Sequence, residues 1–172
     1  MAVLPIITAP DPLLKLKSEP VEQVDDALRK LMDDMLETMY LAPGIGLSAI
    51  QVAVPKRIVV VDVAREDEPA NPLYLVNPEL VRVSDEMAVY EEGCLSLPDH
   101  YADVERPAEI EVEFLDYHGK KQSMKAEGLL ATCIQHEMDH LEGVLFVDHI
   151  STLKRNMILR KLKKAKRLEA IA

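Results

Sequence analysis

The sequence predicts an α+β fold, in which mostly antiparallel sheets pack around a central helix and further helices lie near both ends of the chain. Strand-like runs cluster in the middle of the chain, between residues 57 and 126. Helical apolar spacing occurs before these runs, after them and again at the C-terminal end. Grouped strands with helices segregated from them are typical of an α+β domain.

The first helix is predicted to run from Asp25 or Asp26 to about Leu41. Either aspartate can serve as the N-cap residue, and Pro43 followed by Gly44 ends the helical pattern. The apolar residues between these limits recur every three or four positions and so form one helix face: Leu28, Leu31, Met32, Met35, Leu36 and Met39.

The central strands are predicted from β-branched and alternating apolar runs. RIVVVDV (57–63) has the composition of a buried strand, and IEVEFLDY (110–117) alternates apolar with charged residues. LYLVNPEL and LVRVS follow the first run with an expected break at Pro78, and MAVYEEGCLS (87–96) is a further candidate strand. HGK (118–120) then predicts a hairpin turn into KQSMKA.

Two more helices are predicted toward the C-terminal end. Helical spacing returns from about Glu127 to Leu141, and Gly143 is the expected stop. GVLFVD is then predicted as a short strand. Ser151 can cap a final helix that extends to about Ala170.

The length and the charge distribution suggest one domain with a basic end. A chain of 172 residues can bury an adequate core, so residues 1–172 are expected to form a single domain. Residues 151–172, the predicted basic C-terminal helix, hold eight Lys/Arg and one Glu, whereas the rest of the chain carries a net charge of −17. This asymmetry favours an anionic partner that docks at the C-terminal end.

The sequence favours a location in the cytoplasm. No apolar run approaches the roughly 18 residues of a membrane span. The N-terminal segment lacks a basic region and has prolines at positions 5, 10 and 12, so it is a poor signal peptide. The two cysteines, Cys94 and Cys133, fit a reducing compartment. Neither a membrane nor DNA is expected as a partner.

QHEMDH (135–140) predicts a metal site on the central helix. His136 and His140 are four residues apart and therefore lie on one helix face, where both imidazoles can reach a single ion. Glu137 is turned about 100° from His136. It can lie beside the ion, where a base for a water molecule is needed. The pattern also occurs by chance in helices, so taken alone it leaves the metal open.

A catalytic metal usually takes three protein ligands, so a third is expected from another element. Cys133 lies one turn before His136, but it is seven residues from His140, which is about 10 Å along a helix. It is expected to pack near the site as a small apolar residue. A metzincin would place its third histidine where this chain has Phe146.

Cys94 is the better candidate for the third ligand. It lies in EEGCLSLP, in an apolar turn at the end of a predicted strand. A thiolate and two imidazoles make a tetrahedral site with one open position, although a lone buried cysteine is more often structural. The other histidines are assigned to a loop, a hairpin turn and the boundary of the last helix: His100, His118 and His149.

APGIGLSAIQ (42–51) formally fits the dinucleotide-binding pattern G-x-G-x-x-A. A helix precedes it where that fold requires a strand, and residues 48–57 leave little room for a crossover helix. The better interpretation is a tight loop whose backbone approaches a ligand closely. Gln51 at its end is either a polar surface residue or an amide donor to an oxyanion.

Three stretches together resemble the signature motifs of peptide deformylases in order and spacing: GIGLSAIQ (44–51), EGCLS (92–96) and QHEMDHLEG (135–143). The resemblance covers essentially the whole chain and extends to the bacterial form with a basic C-terminal helix. Two positions depart from the family. Ser48 stands where alanine is common and is not expected to affect the chemistry. Tyr101 stands where some members carry an arginine that contacts the substrate backbone, which leaves fine peptide preference open.

The resemblance implies a metal-dependent hydrolase that removes the formyl group from the formyl-methionine of nascent chains and releases formate. It implies Glu137 as the general acid/base, and Gln51 with the backbone N–H of Leu95 as oxyanion donors. Metal ligation is implied for Cys94, His136 and His140. The remaining implied residues are the supporting pair Glu92 and Arg106, Gly46 for the substrate main chain, and a methionine pocket of Ile45, Tyr90, Leu129, Thr132 and Cys133.

The resemblance also implies a cofactor and a partner. One divalent ion per chain is implied, with Fe²⁺ the usual physiological ion and Zn²⁺ present in some members. In bacterial members the basic C-terminal helix docks on the ribosome near the exit of the nascent chain. The phosphates of rRNA would supply the complementary charge, and such binding weakens as salt rises.

The sequence leaves two other functional hypotheses open. Another HExxH metallopeptidase would explain QHEMDH, but it would give no role to EGCLS or GIGLSAIQ. A ribosome- or RNA-binding module with a structural metal would normally need four protein ligands. Cleavage of unformylated peptides would favour the first, and loss of folding on chelation without turnover would favour the second.

Overall fold

The computed structural model describes residues 2–171 and contains three α-helices and seven strands. The helices are α1 (Asp26–Leu41), α2 (Gly128–Leu141) and α3 (Thr152–Ile171). Short 3₁₀ segments cover Pro12–Lys15, Ala49–Val52 and Phe146–His149. The domain limits expected from the sequence include Met1 and Ala172, which lie outside the described residues.

The strands form two antiparallel sheets. Their bounds are β1 (Gly46–Ser48), β2 (Ile58–Val61), β3 (Leu73–Val83), β4 (Met87–Cys94), β5 (Leu97–Pro107), β6 (Glu109–Leu115) and β7 (Lys121–Glu127). One sheet has the order β1-β2-β3-β6-β7, and β4 pairs with β5 in a separate hairpin. The α+β prediction with mostly antiparallel sheets is therefore confirmed.

Helix α1 confirms the first predicted helix. Asp25 is its N-cap residue, and its side chain accepts a hydrogen bond of 2.9 Å from the amide of Leu28. The predicted apolar stripe packs against β1 and β2, and its buried members are Leu28, Met32, Met35 and Met39. This packing fixes the base of the loop that carries the first sequence motif.

Helix α2 lies between the two sheets and contacts strands of both. Its buried side includes Ile134 and Leu141, which join the apolar cluster on the five-stranded sheet. Gly143 has a φ of +75° just beyond the helix end, a conformation in which glycine avoids the strain of a Cβ. The predicted stop is thus confirmed.

Three details of the secondary structure differ from the sequence predictions. Strand β3 continues through Pro78, because Asn77 adopts a φ of +50° and a register shift against β6 absorbs the proline. Strand β5 was not predicted, since LPDHYADVERP has little apolar alternation and is held by pairing with β4. GVLFVD was wrongly predicted as a strand, because the Asp148 side chain accepts from the Leu145 amide and stabilises a 3₁₀ turn.

Helix α3 packs on the body through a narrow apolar contact. Ile158 and Leu162 are buried in a cluster with Leu14, Leu97 and Phe146, while most of its cations are exposed. The Ser151 hydroxyl accepts from the Lys154 amide at 3.3 Å, as a capping residue does. None of the helices within residues 2–171 combines the length and apolar character needed to cross a membrane.

Candidate metal centre

His136 and His140 lie on the same buried face of α2. Their side chains are 7% and 1% exposed, and their ring centroids are 5.3 Å apart. The four-residue spacing places the two rings edge to face, since side chains at i and i+4 project from one side of a helix. The sequence prediction that both imidazoles can reach one ion agrees with this geometry.

Cys94 reaches the two histidines of α2 from the two-stranded sheet of β4 and β5. It is the last residue of β4, and its Sγ lies 3.3 Å from Nε2 of His140. One ligand atom from each of Cys94, His136 and His140 falls within 4.8 Å of the other two. The thiol expected from the sequence is therefore the third member of the cluster, and Cys133 is buried nearby in the apolar core.

The electrostatic environment fits a divalent cation. Burial lowers the pKa of His136, but the Glu137 carboxylate, the Cys94 thiol and Glu92 raise the pKa of His136 well above its usual range. These neighbours thus favour positive charge at the position of the His136 ring despite its burial. Burial and the neighbouring cations hold the pKa of His140 well below its usual range, so His140 is neutral and can coordinate an ion.

A buried ion pair fixes the ring of His136. Glu92 Oε1 lies 2.9 Å from His136 Nδ1, so the ring donates there and leaves Nε2 for the ion. Arg106 binds both oxygens of Glu92, at 2.7 and 2.9 Å. Burial raises the pKa of Glu92, but the hydrogen bonds from His136 and Arg106 outweigh it and lower the pKa of Glu92 overall.

Glu137 lies beside the ligand atoms without joining them. It is 4% exposed, and its Oε2 is 3.9 Å from Nε2 of His136. Within the described residues its Oε1 has no hydrogen-bond partner. Burial raises the pKa of Glu137 to about 7, which suits a group that takes up and returns a proton near neutral pH.

The amide of Gln51 is oriented from both ends. Its Oε1 accepts from the backbone amide of Ser48 at 3.0 Å and lies 3.1 Å from the Ser48 hydroxyl. Its Nε2 lies 3.0 Å from Ser96 Oγ and 3.5 Å from Cys94 Sγ. Gln51 is thus a buried residue of the site, which excludes the alternative of a polar surface residue.

Two serines in this arrangement were not assigned a role from the sequence. Ser48 was expected to be irrelevant to the chemistry, yet its hydroxyl contacts the amide that faces Cys94. Ser96 contacts the other end of that amide and is fully buried. A signal for each was present in the sequence: Ser96 lies inside EGCLS, two residues after Cys94, and Ser48 with Gln51 fits the helix-capping pattern S-x-x-Q.

The cluster lies at the base of an open cleft with a volume of about 740 Å³. The cleft is bounded by the Gly44–Gly46 loop on one side and by the β4–β5 hairpin on the other, where Leu95 in the turn and Tyr101 on β5 line it. Gln51, Cys94, His136 and Glu137 all face this space. A peptide that enters the cleft would meet the ligand atoms and Glu137 together.

The predicted methionine-pocket residues are only partly gathered around this cleft. Ile45 lines it and is 42% exposed. Cys133 lies just behind, with its Sγ 3.6 Å from the Ile45 carbonyl oxygen. Leu129 is exposed and Thr132 is buried on α2, and Tyr90 on β4 is half-buried. Within residues 2–171, these last three are absent from the lining of the cleft.

A family model described as polypeptide deformylase matches residues 3–156 of this chain. The chain is 61% identical over 165 residues to a peptide deformylase of Rhizobium meliloti, which covers 96% of this chain and 95% of that protein. It is also 61% identical over 166 residues to a peptide deformylase of Pelagibacter ubique, covering 96% of each.

Solved structures agree with these matches. The crystal structure of peptide deformylase from Ehrlichia chaffeensis in complex with actinonin superposes with a TM-score of 0.93. Its sequence identity to this chain is 46%, and the match covers 97% of this chain and 99% of that chain.

Proposed function

This chain belongs to the polypeptide deformylase family, and from that premise we propose that it removes the N-formyl group from the formyl-methionine of nascent polypeptides and releases formate. One observation carries the proposal. Three ligand atoms, a buried carboxylate with a pKa of about 7 and an oriented amide converge at the base of one cleft. Hydrolysis of a linear amide needs all three kinds of group.

The metal is proposed to be held by Cys94 Sγ and by Nε2 of His136 and His140. When bound, a divalent ion supplies Lewis acidity that polarises the formyl carbonyl and acidifies a water molecule. A thiolate with two imidazoles suits Fe²⁺ as well as Zn²⁺. The family resemblance favours Fe²⁺ as the physiological ion, with one ion per chain and Zn²⁺ as the alternative.

Glu137 is proposed as the general base and then the general acid. Its carboxylate accepts a proton from the water molecule as the water oxygen attacks the formyl carbon. The same proton then passes to the methionine nitrogen as the C–N bond breaks, which yields formate and a free amino terminus. A pKa of about 7 lets one group perform both transfers near neutral pH.

Gln51 and Leu95 are proposed to stabilise the oxyanion. The amide Nε2 of Gln51 is aimed at the cleft beside Cys94, and the carbonyl end of that amide is fixed by Ser48. The backbone N–H of Leu95 follows Cys94 directly and would be the second donor. A pre-oriented donor of this kind contributes about 2.7–4 kcal/mol to the transition state.

Substrate binding is proposed to use the first motif and one side of α2. Gly46 would bind the substrate main chain. Behind the site, the pair of Glu92 and Arg106 supports the ring of His136. A formyl group carries only hydrogen beyond its carbonyl, so a cramped site would admit it and exclude internal peptide bonds. The side chains proposed to receive methionine are Ile45, Tyr90, Leu129, Thr132 and Cys133.

The second part of the proposal concerns the partner of α3. Only Ile158 and Leu162 of this helix are buried, and its exposed cations include Lys161, Lys163, Lys164 and Arg167. We propose that residues 151–172 dock on the ribosome through rRNA phosphates near the nascent-chain exit. Residues 1–172 would then act as one cytoplasmic domain delivered to its substrate.

Charge reversal tests this docking without removing the helix. Changing Lys161 and Lys164 to glutamate should weaken ribosome binding, and binding of the unaltered chain should fall as salt rises. The matched control changes Lys120 and Lys121, two exposed lysines at the β6–β7 hairpin, and should bind as the unaltered chain does. Salt-independent binding, or equal loss in both variants, would contradict the docking role.

Formate release tests the proposed reaction. Protein prepared without oxygen should release formate from formyl-Met-Ala-Ser. The same preparation should leave unformylated Met-Ala-Ser intact, and it should not cleave the internal peptide bonds of longer peptides. Comparable cleavage of unformylated peptides would instead support a general HExxH peptidase.

A further inference from the structure

The ion pair behind His136 does not end at Arg106. Arg106 uses Nε and Nη2 to hold Glu92, and its remaining Nη1 donates to Asp139 Oδ2 at 2.7 Å. The Nε2 of His149 lies 2.8 Å from the same Asp139 oxygen, and because a carboxylate only accepts, this nitrogen donates. Five side chains thus form one hydrogen-bonded chain from His136 to His149.

This series of hydrogen-bonded side chains runs from the buried metal centre to the surface on the far side of α2. Glu92 and Arg106 are each 5% exposed at the side chain, Asp139 is 27% exposed and His149 is 36% exposed. Arg106, Asp139 and His149 line a separate groove of about 590 Å³, which does not contain the ligand atoms. The side chains of Asp139 and His149 therefore reach the ligand atoms through Arg106 and Glu92.

The arrangement gives Asp139 and His149 a specific physical task. Arg106 is a planar fork with fixed donor directions, so a carboxylate on Nη1 sets the plane in which Nε and Nη2 meet Glu92. Glu92 in turn fixes the ring orientation of His136 through Nδ1. Asp139 precedes His140 on α2, whereas Arg106 is on β5 and His149 is in the last 3₁₀ segment. The contact therefore ties three separate elements to one orientation.

We propose that Asp139, held by His149, is a positioning residue that fixes His136 for metal binding through Arg106 and Glu92. The proposal rests on the ligand role proposed above for His136. Sequence alone gave His149 no function beyond a boundary histidine before the last helix. In the structure the His149 ring binds Asp139, which in turn accepts a hydrogen bond from the free Nη1 of Arg106.

The test uses the whole chain loaded with Co²⁺, and its main readout is metal retention. The variants are Asp139→Ala and His149→Ala, with His149→Gln as a conservative variant that keeps a donor. Glu142→Gln is the matched control, since Glu142 lies at the same end of α2 and is bound by Arg57 at 2.9 Å, outside this chain of contacts. The Co²⁺ absorption spectrum, the Co²⁺ dissociation rate and the thermal midpoint of the metal-free protein are recorded for each.

Loss of an outer partner of a metal ligand typically weakens metal binding by about 10- to 100-fold. Asp139→Ala should therefore release Co²⁺ about ten-fold faster and shift the Co²⁺ absorption bands. His149→Ala should move both readouts less and in the same direction, and His149→Gln should restore them. The control should match the unaltered chain, and the metal-free midpoints of all variants should stay together.

Two results would overturn the positioning role. One is Co²⁺ release within two-fold of the unaltered chain for both Asp139→Ala and His149→Ala. The other is equal acceleration in Glu142→Gln, which would indicate a general effect on the helix end. Because metal retention is measured without substrate, a failure of the proposed deformylation would appear separately, as absent formate release by the unaltered chain.

Discussion

Gly46 and Glu137 are in such close contact that a Cβ on residue 46 would lie 2.6 Å from Oε2 of Glu137. The same Cβ would lie 2.8 Å from the Sγ of Cys133. Both separations are well below van der Waals contact, so either the loop or the carboxylate would have to move. The first sequence motif therefore constrains the position of Glu137, the acid/base group proposed from the third.

Changing Gly46 to alanine should displace Glu137 and lower kcat for formate release by about 100-fold, the cost of misplacing a reacting group by roughly 1 Å. Metal content should stay near one ion per chain, because the ligand atoms are not in the clash. Steady-state kinetics with formyl-Met-Ala-Ser, together with metal analysis, measures both.

Gly44 provides the control for this change. A Cβ on Gly44 would meet the Cδ1 of Leu95 at 2.8 Å, but a leucine methyl can rotate away. Gly44→Ala should therefore lose much less activity than Gly46→Ala. Equal losses would mean that any bulk in this loop is harmful and that contact with Glu137 is not the cause.

Gln51 and Ser48 should differ in their importance by an order of magnitude or more. Gln51→Ala removes the proposed oxyanion donor, so kcat should fall by about 10²–10³-fold. Ser48→Ala removes one hydrogen bond to the carbonyl end of the Gln51 amide and leaves the backbone donor. Its cost should be about 1 kcal/mol, or about five-fold in kcat. A Ser48→Ala enzyme as impaired as Gln51→Ala would refute this ranking.

The identity of the metal should determine sensitivity to oxygen. A chain loaded with Fe²⁺ should lose activity in air, since both the ion and the half-buried Cys94 thiolate can be oxidised. A chain loaded with Zn²⁺ should keep its activity much longer, because Zn²⁺ has no redox chemistry. Activity is followed over time with and without air, and equal decay of the two forms would contradict the expectation.

Asp148 should make the packing of α3 against the rest of the domain sensitive to acid. Burial raises the pKa of Asp148, but hydrogen bonds from the Leu145 amide, Arg155 and Lys15 outweigh it and hold the pKa below its usual value of 3.8. Because the folded pKa is the lower one, the stabilisation is present above about pH 4 and is lost as the pH falls through the folded value. Asp148→Asn should cost about 1 kcal/mol at neutral pH, or about 3 °C in Tm.

Thermal unfolding of both proteins between pH 3 and 7 measures this effect. The difference between them should shrink below about pH 4, as Asp148 becomes protonated first in the unfolded and then in the folded chain. Glu66→Gln is the control, since Glu66 is exposed and makes no ion pair within the described residues. A constant difference over the whole pH range would show that the charge of Asp148 is not responsible.

Local patterns in the sequence predicted the features that depend on a few neighbouring residues. Asp25 and the apolar stripe after it predicted α1, and the spacing of His136 and His140 predicted two candidate ligands on one face. Elimination of Cys133 by its helical distance then pointed to Cys94 on another element, and the structure brings that thiol to the histidines.

Features that depend on long-range contacts could not be predicted. Strand β5 has little pattern of its own and is defined by its partner β4. The contacts of Asp139 with Arg106 and His149 depend on side-chain directions on three separate elements. A periodicity analysis contains no information on either.

The most direct test of the account compares the unaltered chain with Glu137→Gln, both prepared without oxygen and both analysed for metal. The replacement keeps the size of the side chain but removes its ability to accept the proton. We predict one ion per chain in both proteins, with formate release from formyl-Met-Ala-Ser by the unaltered chain alone. Equal release by both would contradict the role of Glu137, and no release by the unaltered chain with its metal bound would contradict the proposed reaction.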